Sequence, residues 1–260
     1  MHTNITLVIP ALAFDFVHFA DPLYESFERL TVLPEEVLMV VSNTSSLELN
    51  TTKYIKEKER FLQLQVDTGM RIRLLEYNYP VLQSVAKNIG AASATRQWVS
   101  VFDVDDVLHS QRFEVLDQVF KVRPEVNAVL TQFSFTTSAE LKNNSVPVEL
   151  YYTMDEIYNR TYDPQWIREE FAVHLEENNM ALKGETPYSW CCPFIPNSLT
   201  ANGWVSVKKD VWMKHQQRNN LPLGEDIEFN TRLIAGGENL TVVYANLGFY
   251  RWKSDAERPE

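Results

Sequence analysis

The stretch Trp98-Val99-Ser100-Val101-Phe102-Asp103-Val104-Asp105-Asp106 joins a short β-branched and aromatic run to a cluster of acids. Such a run reads as a buried strand, so the carboxylates of Asp103, Asp105 and Asp106 arrive at its C-terminal end. In open α/β sheets, ligands bind outside the carboxyl ends of the strands. Like charges gathered there raise one another's pKa, which is costly unless a cation or a hydrogen-bond donor compensates. Carboxylate oxygens suit Mg2+ or Mn2+, ions that leave coordination positions for water or a substrate diphosphate. The bland reading of the same residues is a solvated Asp-rich turn capping a helix at Val107-Leu108, since Asp favours turns and N-caps.

Upstream, strand and helix alternate. Ile5 to Pro10 is an apolar strand, Pro22 to Leu30 a helix with Leu23, Phe27 and Leu30 on one face, and Val37 to Val41 a second buried strand. Lys53 to Leu64 is predicted as a charged helix, Arg71 to Tyr77 as a third strand, and Leu82 to Thr95 as the helix leading into the Trp98 strand. Repeated βα units imply a mainly parallel sheet flanked by helices, with right-handed crossovers.

Downstream, Gln111 to Phe120 reads as a helix and Ala128 to Phe135 as a strand. From Thr136 to Pro196 the chain is aromatic, acidic and loop-rich, with one helix between Pro164 and Asn178. It reads as an insertion that covers the strand ends and carries substrate contacts. A strand near Gly203 to Val207 and a helix near Lys209 to Gln216 follow. The turn Leu221-Pro222-Leu223-Gly224 then starts a helix over Asp226 to Leu233, so the second acidic cluster, Glu225-Asp226-Ile227-Glu228, sits at a helix N-terminus. The macrodipole stabilises acids there by ~0.3–1 kcal/mol, which is the plain capping explanation for them.

At 260 residues the chain has the length of one large α/β domain. A net charge of −11 argues against wide nucleic-acid or anionic membrane surfaces, although a metal ion and a few local cations can still hold a diphosphate. No apolar run approaches the ~20 residues that cross a bilayer. The N-terminus lacks a basic region before its short apolar run, so a signal peptide is not expected and the assignment is cytoplasmic. Six Asn-x-Ser/Thr sequons, at Asn4, Asn43, Asn50, Asn143, Asn159 and Asn239, are then incidental. Cys191 and Cys192 are adjacent, which excludes a loop-closing disulfide and a zinc site of separated ligand pairs.

The acidic strand end, the Ala86-Lys87-Asn88-Ile89-Gly90 helix before it, and Gly224-Glu225-Asp226 ahead of Thr231-Arg232-Leu233 together resemble GT-A-fold glycosyltransferases of the family 2 type. The resemblance covers almost the whole chain. It implies a Rossmann-like GT-A fold in a single domain, with a nucleotide-sugar-binding half over 1–135 and an acceptor-binding half over 136–260. It also implies a nucleoside-diphosphate sugar donor, Mn2+ or Mg2+, and a glycan, glycoprotein or glycolipid acceptor. By position, Asp105 or Asp106 is the metal ligand, Asp103 or Asp105 faces the ribose, Asp226 is the base, and Glu225 is its neighbour in acceptor binding. Pro10, Ala11, Asn43, Lys87 and Arg251 are the further donor contacts.

The departures from the family pattern are specific. Ser42-Asn43-Thr44 stands where members often have an Asp that reads the nucleobase, Lys87 stands where Arg is common, and no His occupies the place of a third metal ligand. Tyr250-Arg251-Trp252-Lys253 resembles a segment closing over the diphosphate, with Arg251 or Lys253 to neutralise the leaving group. The implied reaction is inverting, with Asp226 on one face of the sugar carbon and the metal-bound leaving group on the other.

Trp190, Trp204 and Trp252 are candidate acceptor platforms, each weighed against an ordinary core or interface tryptophan. His109 reads as a cap for the following helix rather than a metal ligand, and His174 and His215 read as surface residues. Two rivals remain. Asp103-Val104-Asp105-Asp106-Val107 also fits the first motif of haloacid-dehalogenase phosphatases, with Asp103 as nucleophile and Asp105 as acid/base, although that motif opens its domain and here two strand–helix units precede it. A non-catalytic sugar- or nucleotide-binding module is the other, and it has no use for Asp226.

Overall fold

The computed structural model describes residues 2–43, 49–137, 152–177, 204–219, 221 and 224–252. Strands β1 (His2–Leu12), β2 (Leu33–Ser42), β3 (Arg71–Tyr77) and β4 (Trp98–Val101) lie side by side in the order β3-β2-β1-β4, all parallel. Ile5, Leu7, Val8 and Ile9 are at most 1% exposed, as the centre of a parallel sheet covered on both faces demands. Alternate β1 side chains enter opposite layers. Leu7 and Ile9 pack with Phe16, Tyr54, Phe61 and Phe113, while Val8 packs with Ala91, Val211 and Trp212 on the other face.

The crossovers are helical, as expected. α1 (Ala13–Phe19), an addition to the helices read from the sequence, and α2 (Asp21–Arg29) follow β1, α3 (Thr52–Thr68) follows β2, and α4 (Gln83–Ser93) follows β3. Thr51 caps α3 by accepting a 3.3 Å hydrogen bond from the Tyr54 N–H. α4 turns Ala86, Gly90 and Ala91 inward and lies so close to β1 that a Cβ on Gly90 would stand 2.2 Å from Val8 Cγ1.

Beyond β4 the sheet becomes mixed. β5 (Val107–Leu108), α5 (Arg112–Val122) and β6 (Ala128–Thr137) follow in the chain, then α6 (Met154–Asn159), α7 (Pro164–Glu177), β7 (Ser206–Lys208), α8 (Lys209–His215), α9 (Glu225–Ala235) and β8 (Leu240–Trp252). β7 runs antiparallel between β4 and β6, β8 is parallel to β6, and β5 is antiparallel to β8 at the edge. Val107-Leu108 is therefore strand, paired with Phe249 and Gly248, and not the start of a helix. The helix predicted before Asn178 is α7, joined by α6, which the reading of the insertion omitted. No helix among the described residues is long and apolar enough to cross a membrane.

Candidate active site

The ladder that holds the acidic cluster runs one residue past β4. The Phe102 N–H donates to Val8 O at 3.1 Å and the Val101 N–H to Val205 O at 3.0 Å, so Asp103 leaves the sheet at its carboxyl edge beside β1. A turn follows, with the Asp106 N–H donating to Asp103 O at 3.3 Å. The three acids diverge in what they meet. Asp103 and Asp105 are partly exposed. Asp106 is buried, and its Oδ1 accepts a 2.8 Å hydrogen bond from the Arg251 N–H, which ties β8 to the turn. Gln83, at the start of α4, donates 2.8 Å to Asp103 Oδ1.

The second acidic cluster comes to the same place from the far end of the chain. Gly224 has φ +74°, the left-handed region that favours glycine, and its carbonyl accepts from the Glu228 N–H at 3.0 Å to open α9. That reversal delivers Glu225 to α4, where its Oε1 lies 2.9 Å from Lys87 Nζ. Both side chains are buried, with Lys87 at 1% and Glu225 at 8% exposure. One ammonium thus sits within the fields of Asp103, Glu225 and Asp226, contributed by two segments more than 100 residues apart.

The charges follow from this crowding. Burial would discharge Lys87, but the carboxylates of Asp103, Glu225 and Asp226 outweigh it and hold the ammonium above its ordinary range. Asp103 is raised to about 6, by burial first and by Asp105 and Glu225 next, against the pull of Lys87 and the Gln83 hydrogen bond. Burial also raises Asp226, again opposed by Lys87, with Glu225 adding to the rise. A single cation among so many acids leaves negative charge over.

That excess, and the hard oxygens of Asp103 and Asp105, fit Mg2+ or Mn2+. Among the described residues no group of three His, Cys, Asp or Glu side chains forms a metal cage. An ion here would take one or two carboxylates and complete its shell with water and phosphate, as magnesium commonly does. Asp106 Oδ1 is engaged by the Arg251 N–H.

Other candidate residues fall in several settings. Pro10 and Ala11 are buried near the carboxyl end of β1. Asn43 follows β2 and closes its loop, with Oδ1 accepting from the Leu49 N–H at 3.0 Å. Arg251 is buried with its guanidinium 4.2 Å over the Phe19 ring. Trp204 is 2% exposed, between Phe102 at 4.5 Å and Phe133 at 5.5 Å. A sugar platform needs an open ring face, so Trp204 is a core residue. Trp190, Cys191, Cys192 and Lys253 lie outside the described residues, as does the side chain of Trp252. His109 Nδ1 accepts from the Gln111 N–H at 3.1 Å, a capping role. His215 is not a surface residue but pairs at 2.9 Å with the buried Glu238.

Sequence reasoning passed over Arg112. This fully buried guanidinium donates to Trp204 O at 3.0 Å, Thr131 Oγ1 at 3.2 Å, Leu247 O at 3.4 Å and Ser100 Oγ at 3.5 Å. Burial lowers its pKa to about 9. It faces the rings of Phe102 and Trp204 at 5.3 and 5.9 Å, and so braces the strand that ends at Asp103. Arg112 opens an ordinary amphipathic helix, and nothing in its neighbours marks it as buried.

The fold can be compared with solved structures. TarS 1–349 from S. aureus superimposes over 95% of this chain and 60% of its own, with a TM-score of 0.59 at 10% identity. TarS in complex with UDP-GlcNAc matches over 96% and 59% at the same TM-score and 11% identity. Glucosyl-3-phosphoglycerate synthase from Mycobacterium tuberculosis, in complex with Mg2+ and UDP, matches over 98% and 74% with a TM-score of 0.52 at 12% identity. The chain has the GT-A fold. No family model matches the sequence, and no curated protein does. The chain spans about 60% of the length of TarS 1–349 and 36% of the longer TarS structure. On this fold the turn at Asp103 stands on the fourth strand, whereas the phosphatase motif opens its domain.

Proposed function

We propose that this chain is a metal-dependent, inverting glycosyltransferase that moves a sugar from a nucleoside-diphosphate donor to a hydroxyl of a glycan or other acceptor. The observation that carries the reading is the meeting of Asp103, Lys87, Glu225 and Asp226 at the carboxyl edge of β4. A binding module needs the first carboxylates but has no use for a second acidic pair turned in by Gly224. The likeness to structures holding UDP, UDP-GlcNAc, Mg2+ and Mn2+ supports the same class of donor and ion.

Asp226 is the base. It takes the proton of the acceptor hydroxyl while that oxygen bonds to the anomeric carbon, and the bond to the diphosphate breaks with its electron pair leaving on the phosphate oxygen. Burial raises Asp226 and so makes its carboxylate the stronger proton acceptor. Attack from the Asp226 side, opposite the leaving group, inverts the anomeric carbon. Asp105, with Asp103 or Asp106, would hold Mg2+ or Mn2+, which would supply positive charge to the departing diphosphate. Arg251, anchored through its backbone to Asp106, or Lys253 is the cation that neutralises the leaving group.

Two measurements test this. UDP with Mn2+ should raise the thermal midpoint, since a ligand at 100 times its Kd adds ~2.7 kcal/mol, and removing the ion with a chelator should reverse the shift. Asp226→Asn should lower kcat by about 10²–10⁴-fold with the UDP shift retained. Undiminished transfer by Asp226→Asn would refute the assigned base.

A further inference from the structure

The family resemblance makes Lys87 a donor contact, but the geometry gives it another task. The side chain is 1% exposed, and Nζ lies 2.9 Å from Glu225 Oε1. The residues around it are fixed in place. Gly90, one turn on, seats α4 against Val8. Asn88, the next residue, accepts from the Gln217 N–H at 2.9 Å and from Trp212 Nε1 at 3.1 Å, and donates to Gln217 O at 2.7 Å, so α4 also grips the segment between α8 and α9. Lys87 therefore projects from a clamped helix into the space between Asp103 and the start of α9.

We propose that Lys87 is a positioning residue: its ammonium ties the end of β4 to the start of α9 and holds the Glu225-Asp226 pair where Asp226 meets the acceptor hydroxyl. This rests on the glycosyltransferase reading and deepens it. Glu225 is the partner that Lys87 grips, and Asp226 is carried by the next peptide unit, so a shift of Glu225 moves the base. Among the described residues, three charged groups bear on Asp226. Lys87 comes from α4, Glu225 from its own helix, and Asp103 stands across the ammonium at the end of β4. Glu228, in the same first turn, is engaged by Arg232 at 2.6 Å and by Arg218 at 3.0 Å. Lys87 is thus, among the described residues, a cation that balances the pair.

The test separates a tie from a donor contact without needing the true acceptor. The titration of the Asp226 carboxyl is followed by carbon-detected NMR in the wild type, Lys87→Met, Lys87→Arg and Glu225→Gln, and the affinity for UDP with Mn2+ is measured by calorimetry. For a tie, Lys87→Met raises the Asp226 midpoint by about 1–3 pH units, as loss of an adjacent opposite charge should. Lys87→Arg restores the midpoint, Glu225→Gln lowers it, and UDP affinity stays within about twofold throughout. A large loss of UDP affinity in Lys87→Met with an unmoved Asp226 midpoint overturns the proposal and returns Lys87 to the donor. Should Lys87→Met fail to fold, an Asp226 midpoint unmoved in Glu225→Gln overturns it equally. Failure of the glycosyltransferase reading shows separately, as wild-type protein that binds neither UDP nor a UDP-sugar.

Discussion

Gly90→Ala adds one methyl group at the closest approach of α4 to the sheet. The new Cβ would stand 2.2 Å from Val8 Cγ1, 3.2 Å from Cγ2 and 3.3 Å from Cβ. Carbon atoms pack at about 3.5–4.0 Å, so the first contact is more than 1 Å too short. Val8 cannot swing clear, because it is fully buried at the centre of β1 and β-branched at χ1. Overpacking costs about 1–3 kcal/mol, and a contact this short against an immobile side chain falls at about 2–3 kcal/mol, offset by about 1 kcal/mol because alanine is the better helix former. The net loss is about 1–2 kcal/mol, or roughly 2–8 °C in Tm at this chain length.

Val8→Ala deletes the offending Cγ1 and on its own costs about 2 kcal/mol through two buried methyls and a small cavity. Combined with Val8→Ala, the Gly90→Ala step becomes neutral or stabilising, giving a coupling of about 1–3 kcal/mol in a double-mutant cycle. Urea denaturation followed by tryptophan fluorescence measures all four proteins. Additivity within about 0.5 kcal/mol, or a Gly90→Ala protein as stable as the wild type, refutes the close packing of α4 on β1.

Glu36 offers a test at the opposite end of the sheet. It is buried and accepts from Thr6 Oγ1 at 2.6 Å, the Thr95 N–H at 2.8 Å and Arg73 at 3.1 Å. Burial pushes its pKa up, but these donors win and hold it below the ordinary glutamate value. Because the folded value is the lower one, this stabilisation is complete above the unfolded pKa and disappears as the pH falls through the folded pKa. Glu36→Gln should therefore cost about 2 kcal/mol at neutral pH and progressively less in acid, as read from urea midpoints against pH. Trp204→Phe should lower stability by about 1–3 kcal/mol while leaving the KM for any acceptor unchanged, and a selective rise in acceptor KM at unchanged stability would return Trp204 to the surface role.

Much of this fold is legible because the relevant signals are local. The β1 and β2 runs of Ile, Leu and Val announce a covered parallel sheet, and Arg71–Tyr77 is a strand with the boundaries its pattern suggests. α6 carried a usable signal in Thr153-x-x-Glu156, a capping box in which the Thr153 side chain accepts from the Glu156 N–H and Glu156 accepts from the Thr153 N–H. β8 was hidden for a different reason. Asn246 and Gly248 look like breakers, yet they sit within a 13-residue strand whose register against β6 shifts nearby. The acidic clusters could be found from sequence, but their meeting could not, since it runs through the ammonium of Lys87, which reaches Glu225 138 positions away. Likewise, the inward turn of Asp106 depends on the backbone of Arg251, which no local pattern reveals.

The strand order also bears on how this protein could be divided. β6 belongs by sequence to the first half of the chain, but both of its neighbours, β7 and β8, come from the second, and β7 is also what covers the free side of β4. A cut near residue 135 would leave β6 with two bare edges and invite aggregation. A cut between α5 and β6 would instead part the sheet at two seams, β4 from β7 and the short β5, which stays with the first piece, from β8. Those edges are complementary in register, so fragments divided there have a reason to find each other, and the proposed sugar transfer would report their reassembly.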